Sequence, residues 1–180
     1  MKNTKKIIKF NSSLYSTNLE KLINKLNLND FEYIRLDDVC EIKKGTQLNK
    51  DKLNNKGKYP VINGGQEPSG YWHEYNVNAN TITISQGGNS AGFINLIYTN
   101  FFAGAHCYYL ILKSKNINYK FLYYFLKNNQ DKIMNYKVGT AIPGINKEQI
   151  ANILIPVPHL KIQQHIVNTI IHLFLFLKFL

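Results

Sequence analysis

The chain has 180 residues, 44% of them hydrophobic and 18% charged, and its 22 basic and 11 acidic side chains give a formal charge of +11. This length and composition describe one folded domain of ordinary size and exclude a globally disordered chain. Two cysteines, Cys40 and Cys107, without C-x-x-C spacing, exclude a disulfide framework, and their apolar surroundings mark both as small core residues.

The positive excess favours polyanions, nucleic acid or an anionic membrane surface. Base-composition drift is the plain alternative, because every basic residue except Arg35 is a lysine and Asn, Ile and Lys crowd the whole chain. The lysines are also dispersed, with no block that would mark a basic tail. Met1 to Phe10 is basic but has no apolar stretch or small-residue cleavage site, so it is not a secretory signal. Ile166 to Leu180 is apolar but only 15 residues long and holds Asn168, His172 and Lys178, short of the roughly 17–25 residues that span a bilayer. A cytoplasmic protein with no membrane partner is the expectation.

In chain order, residues 1–29 read as a basic segment holding a short amphipathic helix over Leu14 to Leu28, with Leu19, Leu22, Ile23 and Leu26 at helical spacing. Phe31 to Ile42 reads as a strand followed by a helical turn or second strand, with Ile34, Leu36 and Val39 inward and Asp37 capping the turn. A Lys- and Asn-rich loop runs from Gly45 to Lys58. Tyr59 to Ile62 is a short strand ended by Asn63-Gly64-Gly65, and Pro68-Ser69-Gly70 leads into the aromatic cluster Tyr71, Trp72, His73 and Tyr75. Strands are predicted over Thr81 to Ser85, Phe93 to Ile97 and His106 to Leu112, with the tight glycine-rich loop Gln86 to Gly92 between the first two. Tyr119 to Asn128 reads as an amphipathic helix extending to Met134, and Gly139 to Gly144 as an exposed loop. Strands in the middle and helices at the end make the fold class α+β.

The most informative stretch is Lys147 to Val167. Its apolar run closes on Pro156 and Pro158, which end a strand and force an extended connector. Beyond them Ile162, Ile166, Thr169, Leu173, Phe176 and Leu180 step by four, three, four, three and four residues, an a/d seam of coiled-coil type that wants a partner helix.

Candidate sites follow from chemistry. Gln86 and Asn89 carry amides able to pair bidentately with adenine in a major groove, with Ser90 beside them; a plain hairpin with structural glycines is the other reading. Lys137, Thr140 and Lys147 surround Gly139 and Gly144, a pattern for phosphate contact or for a solvated connector. Lys43 and Lys44, with the loop lysines Lys50, Lys52, Lys56 and Lys58, would extend an electrostatic footprint. Tyr71 and Trp72 suit stacking on bases or simple core packing. Arg35, at the core edge, is a poor guanine reader. His106 and Cys107 are adjacent in a strand and face opposite ways, so no metal is expected. The sequence lacks an Asn/Asp-Pro-Pro-aromatic motif, a G-x-G-x-x-G after a strand, H-E-x-x-H, a nucleophile elbow and a P-loop ending; no catalytic residue and no cofactor is predicted.

Four segments together resemble the target-recognition domain of the specificity subunit of type I restriction-modification systems. They are Phe31 to Gly45, Tyr59 to Gly65 with Ser69-Gly70-Tyr71, Ile84 to Gly92, and Gly139 to Lys147 followed by Ile155 to Pro158 and Gln163 to Val167. The resemblance covers about residues 31 to 172. It implies a mixed-strand recognition domain over 30–158 and a long docking helix over 159–180. It also implies a non-catalytic role: recognising duplex DNA and directing a partner adenine methyltransferase subunit, with a restriction motor subunit as a further partner.

The family's subunits carry two such domains separated by two long antiparallel helices, whereas this chain has one domain and one incomplete helix. A half-subunit that homodimerises through the C-terminal helix (Ile162, Ile166, Thr169, Leu173, Phe176) is one expectation, and a truncated product is another. Two further readings stay open: an interaction module that binds the methyltransferase without reading DNA, and a single-strand nucleic-acid binder.

Overall fold

In the computed structural model the described residues are 31–177, apart from 50, 52, 54–55 and 140–142. The helix expected over Leu14 to Leu28, and Thr140, lie outside them. The elements run β1 (Tyr33–Arg35), α1 (Leu36–Val39), β2 (Cys40–Lys44), β3 (Tyr59–Ile62), β4 (Tyr71–Trp72), β5 (Thr81–Ser85), β6 (Ile94–Ile97), β7 (Phe102–Ala103), β8 (Cys107–Leu112), α2 (Tyr119–Asn128), α3 (Gln130–Met134), α4 (Lys147–Ala151), β9 (Leu154–Pro156) and α5 (Leu160–Leu177). The fold is α+β, with several small sheets and a C-terminal helix of 18 residues.

A four-stranded antiparallel sheet, β2-β8-β5-β6, forms the centre. Alternation along β5 sends Ile82 and Ile84 to one face and Thr83 and Ser85 to the other, yet all four are buried. Both faces are covered, which explains it. Ile82, Ile84, Leu110 and Ile94 pack with Leu122, Leu126, Ile133 and Ile150 of the helices. On the other face Ile97 and Cys107 pack with Ile62, Val77, Phe101 and Ala103, around the three-stranded sheet β4-β3-β7. Burial pushes both thiols, Cys40 and Cys107, up to about 12.

Edge strand β6 is blunted by side chains. Gln130 Oε1 accepts from the Ile94 amide at 3.0 Å, and Lys127 Nζ donates to the Ile94 carbonyl at 2.8 Å while lying 4.1 Å from the centre of the Phe93 ring.

Three expectations are corrected. Asp37 is not the cap: its carboxylate takes a two-pronged pair from Arg35, at 2.8 Å and 2.8 Å, which holds it below the usual carboxylate range, and Arg35 is the N-cap residue of α1, with no side-chain capping bond. The helix expected to reach Met134 breaks at Asn129, which ends α2 and starts α3. The buried stripe of α5 is Gln163, Ile166, Val167 and Ile170, turned away from the a/d seam, because it packs on Phe121 and Tyr124 of α2. Within the seam, Ile166 therefore faces this chain's own helix, Ile162 and Thr169 are half-buried, and Leu173 is exposed.

Gln163 secures that joint. Its Oε1 accepts from the Asn118 amide at 2.7 Å, and its Nε2 donates to the Asn116 carbonyl at 2.8 Å and the Pro158 carbonyl at 2.7 Å. A side chain fully removed from solvent thus has its polar atoms met. The proline connector is fastened in turn, since β9 pairs antiparallel with β1.

Candidate nucleic-acid interface

The Gln86 to Gly92 loop is a hairpin connection with a 3-10 turn, Gly88–Ser90, at its tip. The Ser85 carbonyl accepts from the Gly92 amide at 2.8 Å and the Ser85 amide donates to Phe93 at 3.0 Å, closing its base. Gly92 sits at φ +85°, where a Cβ would stand 2.8 Å from Met134 Cα. Only glycine gives that backbone angle cheaply and lets the loop lie on the end of α3.

The second loop closes on itself. Val138 and Gly144 exchange backbone hydrogen bonds of 2.8 and 3.0 Å. Its flanks are fixed by a capping box on α4, in which the Asn146 side chain accepts from the Gln149 amide and Gln149 Oε1 accepts from the Asn146 amide. Gln149 Nε2 also donates to the Tyr136 carbonyl at 2.6 Å.

The two loops form one ridge. Ile145 N–H donates to the Gln86 carbonyl at 2.8 Å, and Gly88 N–H donates to the Pro143 carbonyl at 2.9 Å. The turn between β7 and β8 then joins the remaining motif segments to it. Gly45 N–H donates to the Cys107 carbonyl (2.8 Å), Gly104 N–H to the Ile62 carbonyl (2.8 Å) and Gln86 N–H to the His106 carbonyl (2.9 Å). Asn63 Oδ1 accepts from the His106 amide at 3.2 Å, and a Cβ at Gly104 would fall 2.3 Å from that same oxygen. Three of the segments singled out in the sequence thus meet around Gly104-Ala105-His106, and the fourth joins them through Gln86 and Gly88. Sequence reasoning missed that turn. Its one cue was the small-residue run Ala103-Gly104-Ala105 between two strand-like stretches.

The predicted residues divide. Asn89 and Lys137 are exposed on the ridge, and Gln86 and Ser90 are half-buried there. The Gln86 side-chain Oε1 is enclosed and makes no hydrogen bond among the described residues, so in this rotamer it offers no acceptor to an outside partner. Lys44 pairs across to Tyr108, whose hydroxyl lies against the Lys147 backbone, which brings both lysines to the flank of the ridge. Lys43 pairs with Tyr109, beside a cleft of about 450 Å³ that Asn76, Asn78 and Asn80 also line. Tyr71 and Trp72 stand apart: β4 pairs with Tyr59 and Pro60, at the end of β3 away from Asn63. There Trp72 stacks on His73, with centroids 3.9 Å apart. Tyr136 and Val138, 46% and 70% exposed, flank Lys137 and were not anticipated.

The segments 44–46, 62–65, 84–92, 103–108 and 136–147 contain no Asp or Glu. The ridge segments therefore carry no acidic side chain of their own and have Lys44, Lys137 and Lys147 at their margin, which suits an anion. Among the described residues no three His, Cys, Asp or Glu side chains gather as a metal site, and no helix is long and apolar enough to cross a membrane.

Comparison with known proteins follows the same outline. Residues 28–175 match the family model for the type I restriction modification DNA specificity domain. A protein of Mycoplasma genitalium named as a type I specificity subunit is 36% identical over 137 residues, covering 75% of this chain and 36% of that protein. A Mycoplasma pneumoniae counterpart is 37% identical over 134 residues, with 73% and 36% covered. The crystal structure of the type I restriction-modification S subunit from M. genitalium superposes with a TM-score of 0.70 at 31% identity, covering 78% of this chain and 38% of that one. The HsdS subunit of Thermoanaerobacter tengcongensis shares the fold, with a TM-score of 0.63 at 18% identity over 89% and 44% of the two chains. The chain spans little more than a third of the length of these two curated relatives. It belongs to the type I restriction-modification DNA specificity family.

Proposed function

We propose that this chain recognises a duplex DNA target through the ridge formed by Gln86 to Gly92 and Lys137 to Lys147, and that it catalyses no covalent step itself. It directs a partner adenine methyltransferase subunit, and in a restricting complex a motor subunit, to that target. The observation that carries this reading is that the four motif segments are joined by backbone hydrogen bonds into one ridge whose segments hold no acidic residue and whose Asn89 and Lys137 are exposed. Lysines at the margin supply affinity through counterion release, and amides at the crest supply base contacts.

Residues 30–158 then act as the recognition domain and 159–180 as the docking helix. Within α5, Ile166 is committed to α2 and Ile162 packs against the same cluster, so the docking surface is what remains of the seam: Thr169, half-buried, and Leu173, 36% exposed. A second copy of the helix, or a helix of the methyltransferase subunit, covers it. Bare apolar surface of this kind drives association.

The test is selection of the full chain, with and without a methyltransferase subunit, against randomised duplex DNA at physiological salt. Enrichment of a short motif is expected, in split palindromic form if the working unit is a dimer. Binding without enrichment that collapses with added salt would defeat the reading. Better competition by single-stranded than by duplex DNA would transfer the function to Tyr71 and Trp72.

A further inference from the structure

Gly87 is a glycine that none of its described neighbours requires. Its backbone is extended, at φ −141° and ψ 170°, a conformation open to any residue, and a Cβ built there would meet nothing within 4 Å among the described residues. Gly92, five residues on, is held by both its positive φ and the closeness of Met134. Glycine where neither angle nor space demands it costs chain entropy without a structural return. Such a position is explained by a body, absent from the free chain, whose surface comes against the Cα.

The hydrogen bonding around Gly87 points outward too. Gly87 faces Gly144 across the ridge, but the bonds at this bridge are those of its neighbours, Gly88 N–H to Pro143 and Ile145 N–H to Gln86. The Gly87 amide makes no hydrogen bond among the described residues. Next to it, the Gln86 backbone carbonyl is taken by Ile145 N–H and the Gln86 side-chain Oε1 is enclosed, so the Gly87 amide is the open polar group at this point of the ridge.

We propose that the Gly87 backbone is a phosphate seat: its amide donates to a phosphodiester oxygen of the bound duplex, and the missing side chain lets the sugar-phosphate strand close onto the ridge. This rests on the reading of the ridge as the DNA face. It commits to a backbone contact, because an amide backed by bare Cα has no donor-acceptor pattern with which to distinguish base edges.

The experiment is Gly87→Ala in the full chain, with Lys137→Ala as companion, both measured on target and off-target duplexes with and without the methyltransferase subunit. Gly87→Ala is expected to melt at or above the wild-type temperature. It should bind both duplexes roughly tenfold or more weaker, the scale of one hydrogen bond to a charged group, with the preferred motif unchanged. In ethylation interference on the wild-type complex, one phosphate whose modification blocks binding should lose that effect in Gly87→Ala.

A melting temperature several degrees lower would overturn the premise that the fold tolerates a side chain there. Wild-type affinity, or an altered motif at unchanged off-target affinity, would overturn the phosphate seat. If Lys137→Ala weakens binding while Gly87→Ala does not, only this inference fails. If the wild-type chain binds no duplex, or neither variant matters, the DNA face itself is misplaced.

Discussion

Two glutamines show how differently the two ends of this domain are built. At the joint between α2 and α5, Gln163 is fully buried and makes three hydrogen bonds to backbone groups. On the ridge, Gln86 has an enclosed side-chain Oε1 with no partner among the described residues. The joint is finished within the chain: its polar atoms are met, and Ile166, Val167 and Ile170 are covered by α2. The ridge is held from below by a dense backbone network, while its upper surface keeps exposed Val138, Lys137 and Asn89 and an open glycine backbone. A self-satisfied region serves stability, and a region with unmet groups on a rigid base is shaped for something else.

The largest effect of that difference should appear in stability at the joint. Ile166→Ala removes a buried side chain and is expected to lower the unfolding free energy by about 2–4 kcal/mol in denaturant titration, against less than about 0.5 kcal/mol for Leu173→Ala in the monomer. Leu173→Ala should instead weaken self-association or methyltransferase docking, read by analytical ultracentrifugation. Equal destabilisation by both would mean that the outward side of α5 is already covered within the chain.

Gln163→Ala comes next. It leaves the Asn118 amide and two carbonyls without their partner and should cost about 2–3 kcal/mol, whereas Gln86→Ala, which removes an already unpartnered atom, should be neutral or slightly stabilising. A thermal melt of each compares them directly, and a large loss from Gln86→Ala would contradict the contrast drawn here.

Smaller, and specific to the ridge, is the electrostatic share of binding. Removing one phosphate-contacting lysine lowers the slope of log affinity against log salt by about 0.9. Lys137→Ala should show that drop, and Lys115→Ala, away from the ridge segments, should not. Matching slopes would reduce the ridge lysine to general background charge.

A separate effect is one of pH. Burial pushes Lys127 down to about 8, so the folded state sheds this proton before the unfolded chain does at its ordinary value of 10.5. Between about 8 and 10.5 the unfolded state holds more protons at this site, and stability contributed by it rises with pH. The wild-type minus Lys127→Met difference in unfolding free energy should therefore climb across that window; buried thiols and phenols, whose raised values act in the opposite sense, cancel in the difference. A flat difference would place Lys127 in solvent.

Much of the framework was legible in the residues. Alternation gave β5, the Tyr-Pro-Val-Ile run gave β3 with the bounds the structure shows, and Pro156 and Pro158 marked the end of β9 and the connector to α5. What periodicity could not give was which stripe of α5 its own domain would take. Heptad spacing records apolar positions, and the choice between Ile166 facing α2 or a foreign helix depends on where Phe121 and Tyr124 fall in space. Asp37 misled for a similar reason, because a charged neighbour, Arg35, competed for the side chain that capping would have used. The ridge was half visible: glycines and amides flagged both loops, but their fusion through Gly88 and Ile145, and the turn at Gly104 to His106, are contacts between segments far apart in the chain.

The most direct test of the ridge as the recognition surface is repeated selection from randomised duplex DNA with the full chain carrying Gln86→Ala and Asn89→Ala together. Wild-type thermal stability with a changed or lost motif is the result predicted. The same motif, enriched as strongly as by the wild type, would show that the DNA is read elsewhere on the molecule.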